Sequence, residues 1–509
     1  MKRPVLRSLT TAVLLCLAMT AQVFAQPTTT PKYTSLPDEK YFDFGDEPIR
    51  FVENDRVKLG FNLAIGGAVV YLEDKANNSG NMINSYDWGR QIQLSYYSGP
   101  TPFIGPNGEK PSDSWAGLGW NPIQAGDCDG YGSRVLNFRV DGNEVFIRTR
   151  PMLWPNIGLL AECLFECRYT LTDNGFELVA TIINNRSDKT QYPARNQETP
   201  ALYTNAPWYK LVSYLGDKPF ENEPATVIVD KNDGKGWPWV SYYTPERWSA
   251  LVNEENYGVG VYQPYALRTS AGFAGGDEPK GQPLGEKAGP TGYIAPREVT
   301  ILDWNIKRSY KTTFIVGSLD EIRSTVYKLA KRDLTLAPEW NFTHDRNNWT
   351  YVGTTDDGCE LKGNGLTINL LANNNAVAKS PETFWKTENG MMVQIDGRYV
   401  DGDRKNAPDE EMTLIFTPVS PADTTDYLAW SEGEKNAQKE KEEKAKDYPS
   451  LPGFIVKAPV QFHEKGWSVL CDLSDVEEYK GAMRQLTIVL PAREGKINLR
   501  RVFFYTPVR

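Results

Sequence analysis

Residues 164–185 read LFECRYTLTDNGFELVATIINN. Apolar and polar side chains alternate on both sides of Asp173-Asn174-Gly175, which predicts two antiparallel strands joined by a tight turn: alternate residues share one face of a strand, and Asn and Gly accept the positive φ such turns need. The same grammar recurs in VKLGFNLAIGGAVVYLED (57–74), VLNFRVDGNEVFIRTR (135–150) and WSALVNEENYGVGVYQP (248–264), with turns predicted at Asp141-Gly142-Asn143 and Asn256-Tyr257-Gly258. From about residue 45 to 318 the chain reads as one long antiparallel meander.

One helix interrupts it near 318–332. Ser318 and Glu321 have the spacing of a capping box, Leu319, Ile322, Val326 and Leu329 recur at helical intervals, and Lys328, Lys331 and Arg332 suit the negative end of the helix dipole. Residues 333–339 read as a linker. Strand patterns then restart from Trp340 to the C-terminus, clearest in GMMVQIDGRYV, EMTLIFTPV, GWSVLCDL and LRRVFFYTP, and predict a second β-sandwich over 340–509. Within it, near 431–448, eleven of the sixteen residues from Glu432 to Asp447 are charged, so this insertion is expected to be a solvated helix or loop.

The N-terminus predicts export. MKRPVLR is a basic segment, SLTTAVLLCLAMT an apolar one, and Val23-Phe24-Ala25 suits signal cleavage before Gln26, which marks 1–25 as a signal peptide and the mature protein as secreted or periplasmic. Leu15 before Cys16 argues against a lipoprotein anchor, and no later stretch is apolar for the roughly 20 residues a membrane span needs. Loss of Lys2, Arg3 and Arg7 leaves the acidic residues, 65 against 56 basic ones in the full chain, further in excess, so nucleic acid is not an expected partner. Five cysteines then remain. Cys163 and Cys167 lie on one strand about 13 Å apart, too far to bridge each other; both are expected as buried thiols, with a bridge to Cys128 as the alternative.

Sixty aromatic residues stand against two histidines, His344 and His463. That excludes a three-histidine zinc site and leaves carboxylates, Tyr, Arg and Lys to carry any chemistry. Both histidines are expected to satisfy local hydrogen bonds. Aromatics set among polar loop residues suit sugars, whose C–H faces stack on rings while amides and carboxylates bind the hydroxyls.

Four segments carry such sets. In the first, Tyr86, Asp87, Arg90, Gln91 and Gln93 follow the Gly66-Gly67 strand. In the second, Trp115 and Trp120 would form a stacking wall with Asn121, Gln124, Asp127 and Asp129 turned toward hydroxyls; the Asp127-x-Asp129-Gly130 spacing also matches part of a calcium loop, without its downstream glutamate. The third places Glu198 among Arg195, Tyr203, Trp208 and Tyr209. The fourth, around Glu246 and Trp248 and followed by a Gly-rich loop over 272–292, reads as a loop anchor.

The Gly66-Gly67 strand and the Asp87-Trp88-Gly89-Arg90 turn resemble the galactose-mutarotase-like β-supersandwich of aldose epimerases and of several glycosidase and polysaccharide-lyase families, over roughly residues 55 to 330. The resemblance implies a concave sheet face that holds a sugar and a catalytic acid on a central strand, where Glu198 stands. The epimerase histidine has no counterpart, because both histidines lie beyond residue 340. Trp340 to Trp349 resembles the opening strand of jelly-roll carbohydrate-binding modules. The expectation is therefore an all-β carbohydrate-active enzyme without cofactor, most simply a glycoside hydrolase with Glu198 as acid and Asp127 or Asp87 as the second carboxyl. The alternatives are a lyase using Tyr203, Tyr209, Arg195 and Arg90 on a uronate-containing polysaccharide, and a non-catalytic glycan-binding protein.

Overall fold

The computed structural model describes residues 40–507, apart from 86, 217, 229–238, 275–290, 303, 332, 344, 358–364, 373–375 and 420–452. The signal segment, Tyr86, His344, most of the Gly-rich loop and the charged insertion fall outside the described residues.

Alternation produces the hairpin at the centre of the chain. Strand Cys163–Thr172 buries Cys163, Phe165, Cys167, Tyr169 and Leu171, and strand Gly175–Asn184 buries Phe176, Leu178, Ala180 and Ile182. The two pair antiparallel, with Thr172 opposite Gly175 across the two-residue turn. Asp141 opposite Glu144 closes the second predicted hairpin through Gly142, whose φ of 57° is one that a side chain would strain. Cys163 and Cys167 are free thiols facing the core, and so is Cys128, so the bridge to Cys128 is not formed. Cys128 packs in a different cluster, near Trp154.

Among the described residues the strands form sheets of three, nine, seven and eleven strands. The nine- and seven-stranded sheets lie face to face. Between them, Phe165, Leu178, Val261 and Phe314 of the first meet Leu94, Leu202, Ala271 and Ile294 of the second. Burial of each of these side chains other than Ala271 contributes about 1.5–3 kcal/mol against the entropy of ordering the chain. The seven-stranded sheet runs in the order Trp239–Tyr243, Arg268–Ala274, Thr291–Thr300, Arg195–Thr204, Gln93–Ser95, Pro122–Ile123, Met152–Leu153, which makes Arg195–Thr204 its middle strand.

The helix spans Leu319–Ala330 and is opened by the expected capping box of Ser318 and Glu321. Its buried stripe is Ile322, Val326 and Ala330; Leu329 is exposed, because the face that meets the nine-stranded sheet ends on Ala330 instead. Glu246 fastens the helix to the sheet. Fully buried, it accepts hydrogen bonds from the Phe220 amide, Trp248 Nε1, Arg323 and Tyr327, as the loop-anchoring reading requires.

Beyond the helix, strands from Glu339 to Tyr505 form the eleven-stranded sheet. Strand Phe454–His463 pairs with Glu411–Pro418 on one side and Gly466–Asp472 on the other, and a separate core including Ile395, Phe416, Trp467 and Ile488 lies within. Gln191 donates to Asp356, and Tyr243 donates to Glu382 at 2.7 Å, across the boundary between the two halves. Among the described residues no helix is long and apolar enough to cross a membrane.

Candidate functional site

A cavity of about 590 Å³ opens on the face of the seven-stranded sheet turned away from the sandwich core. Alternation explains its lining. Along Thr291–Thr300, Ile294 points into the core while Tyr293, Ala295, Arg297 and Val299 take the other face; Ser270 and Ser241 do the same on the next two strands. Loops add Arg90, Tyr97, Trp115, Leu118 and Trp154.

Glu198 sits near the middle of the sheet, opposite Arg297 on one neighbouring strand and Ser95 on the other. Its side chain is 11% exposed. Oε1 accepts a hydrogen bond of 2.7 Å from Tyr293 Oη and one of 3.2 Å from Arg297 Nη1. Burial first, and then the Glu198 charge, push the hydroxyls of Tyr97, Tyr203 and Tyr293 to lose their protons only at strongly alkaline pH. These phenols are therefore neutral donors. For Arg297, burial opposes the charged form, and the facing phenols and Glu198 more than offset it.

Several residues singled out in the sequence do meet here. Arg90, Gln93, Trp115, Asn121, Arg195, Glu198 and Tyr203 all line the cavity. Arg195 is held by the carbonyls of Leu118 and Ser98, at 2.7 and 3.3 Å, and lies 5.6 Å from the Tyr97 ring centre. Arg90 lies 5.9 Å from the ring of Tyr203. Asn121 Nδ2 donates to the Tyr96 carbonyl at 2.7 Å, while its buried Oδ1 lacks a hydrogen-bond partner.

Others do not reach it. Asp87 is fully buried behind the lining, where Thr291 Oγ1 donates to its Oδ2 at 2.7 Å and its Oδ1 has no hydrogen-bond partner; burial raises its proton affinity. Asp127 is also fully buried. Its Oδ1 accepts the amides of Asp129 and Tyr131 at 2.9 Å, and its Oδ2 that of Gly158 at 2.6 Å, so this carboxylate closes a loop. Both Asp127 oxygens are thus committed to N–H groups. Gln91 and Gln124 bind backbone groups inside the fold, and Asp129 lies off the lining. Trp120 and Trp208 are core residues, at 1% and 4% exposure. Tyr209 points elsewhere, donating to Glu254 at 2.5 Å.

The sequence reading overlooked Tyr97, Trp154, Tyr293 and Arg297. Trp154 forms the aromatic wall with Trp115, the rings edge to face at 5.7 Å, in the place expected of Trp120. Tyr293 and Arg297 lie on a strand whose neighbour is distant in sequence, and only their spacing of four on one strand face hinted at a shared role.

No protein-family model matches the chain, and no curated protein matches it. Among solved structures it is similar to a galactose mutarotase-like protein from Lactobacillus casei ATCC 334 at 14% identity, over 53% of this chain and 99% of that one, with a TM-score of 0.34. It is also similar to a putative aldose 1-epimerase from Escherichia coli K12, at 10% identity over 53% of this chain and 99% of that one, TM-score 0.34. A third likeness is to the 4-alpha-glucanotransferase from Thermococcus litoralis, at 12% identity over 57% of this chain and 40% of that one, TM-score 0.31.

Proposed function

We propose that the Glu198 cavity is the active site of an exported enzyme that acts on a carboxylate-bearing polysaccharide, with Glu198 as the proton-transfer group. The observation that carries this reading is the charge pattern: among the described lining residues Glu198 is the single carboxylate, and Arg90, Arg195 and Arg297 surround it. Hydrolysis by two carboxyls across a glycosidic bond lacks its second group among these residues, since Asp87 and Asp127 are buried elsewhere.

Elimination suits the set better. Glu198 would take the proton next to the uronate carboxylate, and guanidinium groups would neutralise the charge that develops on that carboxylate. The electron pair then forms the ring double bond and expels the glycosidic oxygen, which takes a proton from a neutral phenol, Tyr97 or Tyr203. The Trp115 and Trp154 wall would stack a neighbouring sugar.

The test is incubation of the mature chain with neutral and uronate-containing polysaccharides, following ultraviolet absorbance and reducing ends together. Absorbance rising in step with new ends on uronate chains alone, and lost in Glu198→Gln with binding retained, supports the proposal. New ends without absorbance overturn elimination in favour of hydrolysis, and unchanged turnover in Glu198→Gln overturns the site.

A further inference from the structure

The eleven-stranded sheet carries a second cavity, of about 660 Å³, lined almost wholly by polar and charged side chains. It has the size of a small-ligand site. We infer that it binds the anionic groups of an acidic polysaccharide, as a site separate from the Glu198 cavity.

Three cations on its wall, Arg398, Lys465 and Arg500, have no ion-pair or hydrogen-bond partner for their side chains among the described residues, in a chain whose net charge is −9. A fourth, Arg501, is paired with Glu339 at 2.9 Å, and the one acid in the lining, Asp396, accepts from Gln394 at 2.9 Å. Three of the four Arg and Lys side chains in the lining are therefore unpaired among the described residues.

Backbone geometry supplies an independent argument. Between strands Met392–Arg398 and Gly495–Tyr505 the register slips: Asp396 faces Arg501 and Gly397 faces Leu499, which leaves Arg500 as an extra residue. Such a bulge breaks the alternation and brings two successive side chains toward one side, here Arg500 and Arg501. It is held in place by the Phe342 amide, which donates to the Arg500 carbonyl at 3.0 Å. Gly397 lets the buried Trp467 pack directly against the strand beneath the cavity, since a Cβ there would lie 2.0 Å from the indole ring.

The chemistry selects the occupant. Guanidinium groups bind carboxylates and sulfates through paired charge-assisted hydrogen bonds. A single inorganic ion is small for a cavity of this volume. Nucleic acid is disfavoured because Trp467 of the described lining is fully buried and leaves His463 as its one exposed ring, short of the aromatic platform that stacked bases need.

The test is calorimetric titration of the full mature chain with a tetrasaccharide of uronic acid, beside the same tetrasaccharide with its carboxyls reduced to alcohols. The expected result is that R398A/R500A loses one equivalent of acidic tetrasaccharide, or falls roughly ten-fold or more in affinity at that site. R500K, which keeps a positive charge of similar reach but not the planar fork, should weaken it less, and the reduced tetrasaccharide should not bind there. Wild-type stoichiometry and affinity in R398A/R500A overturn the inference. So does displacement by inorganic sulfate at equal concentration, or tighter binding of a single-stranded oligonucleotide that the same substitutions abolish. Failure at the Glu198 cavity is distinguishable, because there the equivalent lost in R398A/R500A is the only one.

Discussion

Tyr293 and Arg297 converge on the same oxygen of Glu198, although a regular ladder would not bring Glu198 and Tyr203 to one face. Tyr203 lies opposite Tyr293 and Glu198 opposite Arg297, so the six residues 198–203 on one strand match the five residues 293–297 on the other. The extra residue falls between Glu198 and Leu202. It turns Glu198 onto the cavity side that Tyr203 already occupies.

If Glu198 transfers the proton, Glu198→Gln lowers turnover by roughly 10²- to 10⁴-fold. Tyr293→Phe removes one hydrogen bond to a charged group, a change of about 1.5–3 kcal/mol, and should lower turnover by roughly ten- to a hundredfold while the fold is kept. Steady-state kinetics with circular dichroism as the folding control measures both, and equal activity in Tyr293→Phe would remove Tyr293 from the site.

Asp87 is a buried carboxyl whose proton affinity is raised by burial. Its folded form therefore holds the proton more tightly than the unfolded chain, so stability falls as pH rises from the ordinary carboxylate range through the raised value. Asp87→Asn keeps an acceptor for Thr291 and carries no charge. We expect it to melt at or above the wild-type temperature at neutral pH, with the two curves converging in acid; a Tm deficit that is largest at neutral pH would contradict this.

Asp127→Ala leaves three backbone amides without their acceptor. Unpaired buried donors cost about 1–3 kcal/mol each, so the variant should lose about 2–4 kcal/mol in urea unfolding even after partial relaxation of the loop. Turnover per folded molecule should change far less than in Glu198→Gln, which separates a loop-closing role from a catalytic one.

In the second half of the chain, Arg346 and Asp356 form an ion pair at 2.6 Å with side chains 1% and 0% exposed, and Tyr351 donates to the same carboxylate at 2.7 Å. Burial favours the neutral acid, but Arg346 and the hydrogen bonds of Tyr351 and Gln191 together outweigh it and hold Asp356 below the ordinary carboxylate range. The pair's stability is thus present above that range and lost as pH falls through the lowered value. Asp356→Asn strands a buried guanidinium and should cost about 3–5 kcal/mol near neutral pH, with the gap to wild type closing in acid. Chemical denaturation across pH checks both the size and the sign.

The all-β class, the hairpins around Asp173 and Asp141, and the capped helix after Ser318 were legible in the sequence because each rests on local rules: period-two alternation, turn residues and capping. Glu198 was legible for a related reason, as a carboxylate in a stretch rich in Arg, Asn, Gln and Tyr. The rest depended on which strands become neighbours. Asp87, Asp127, Trp120 and Trp208 look like site residues when read along the chain, yet they point into the fold. Arg297 and Tyr293 look unremarked and instead bind Glu198. Strand order and a one-residue slip in register decide which face a side chain takes, and both arise from packing between segments about a hundred residues apart, where alternation within either segment carries no information.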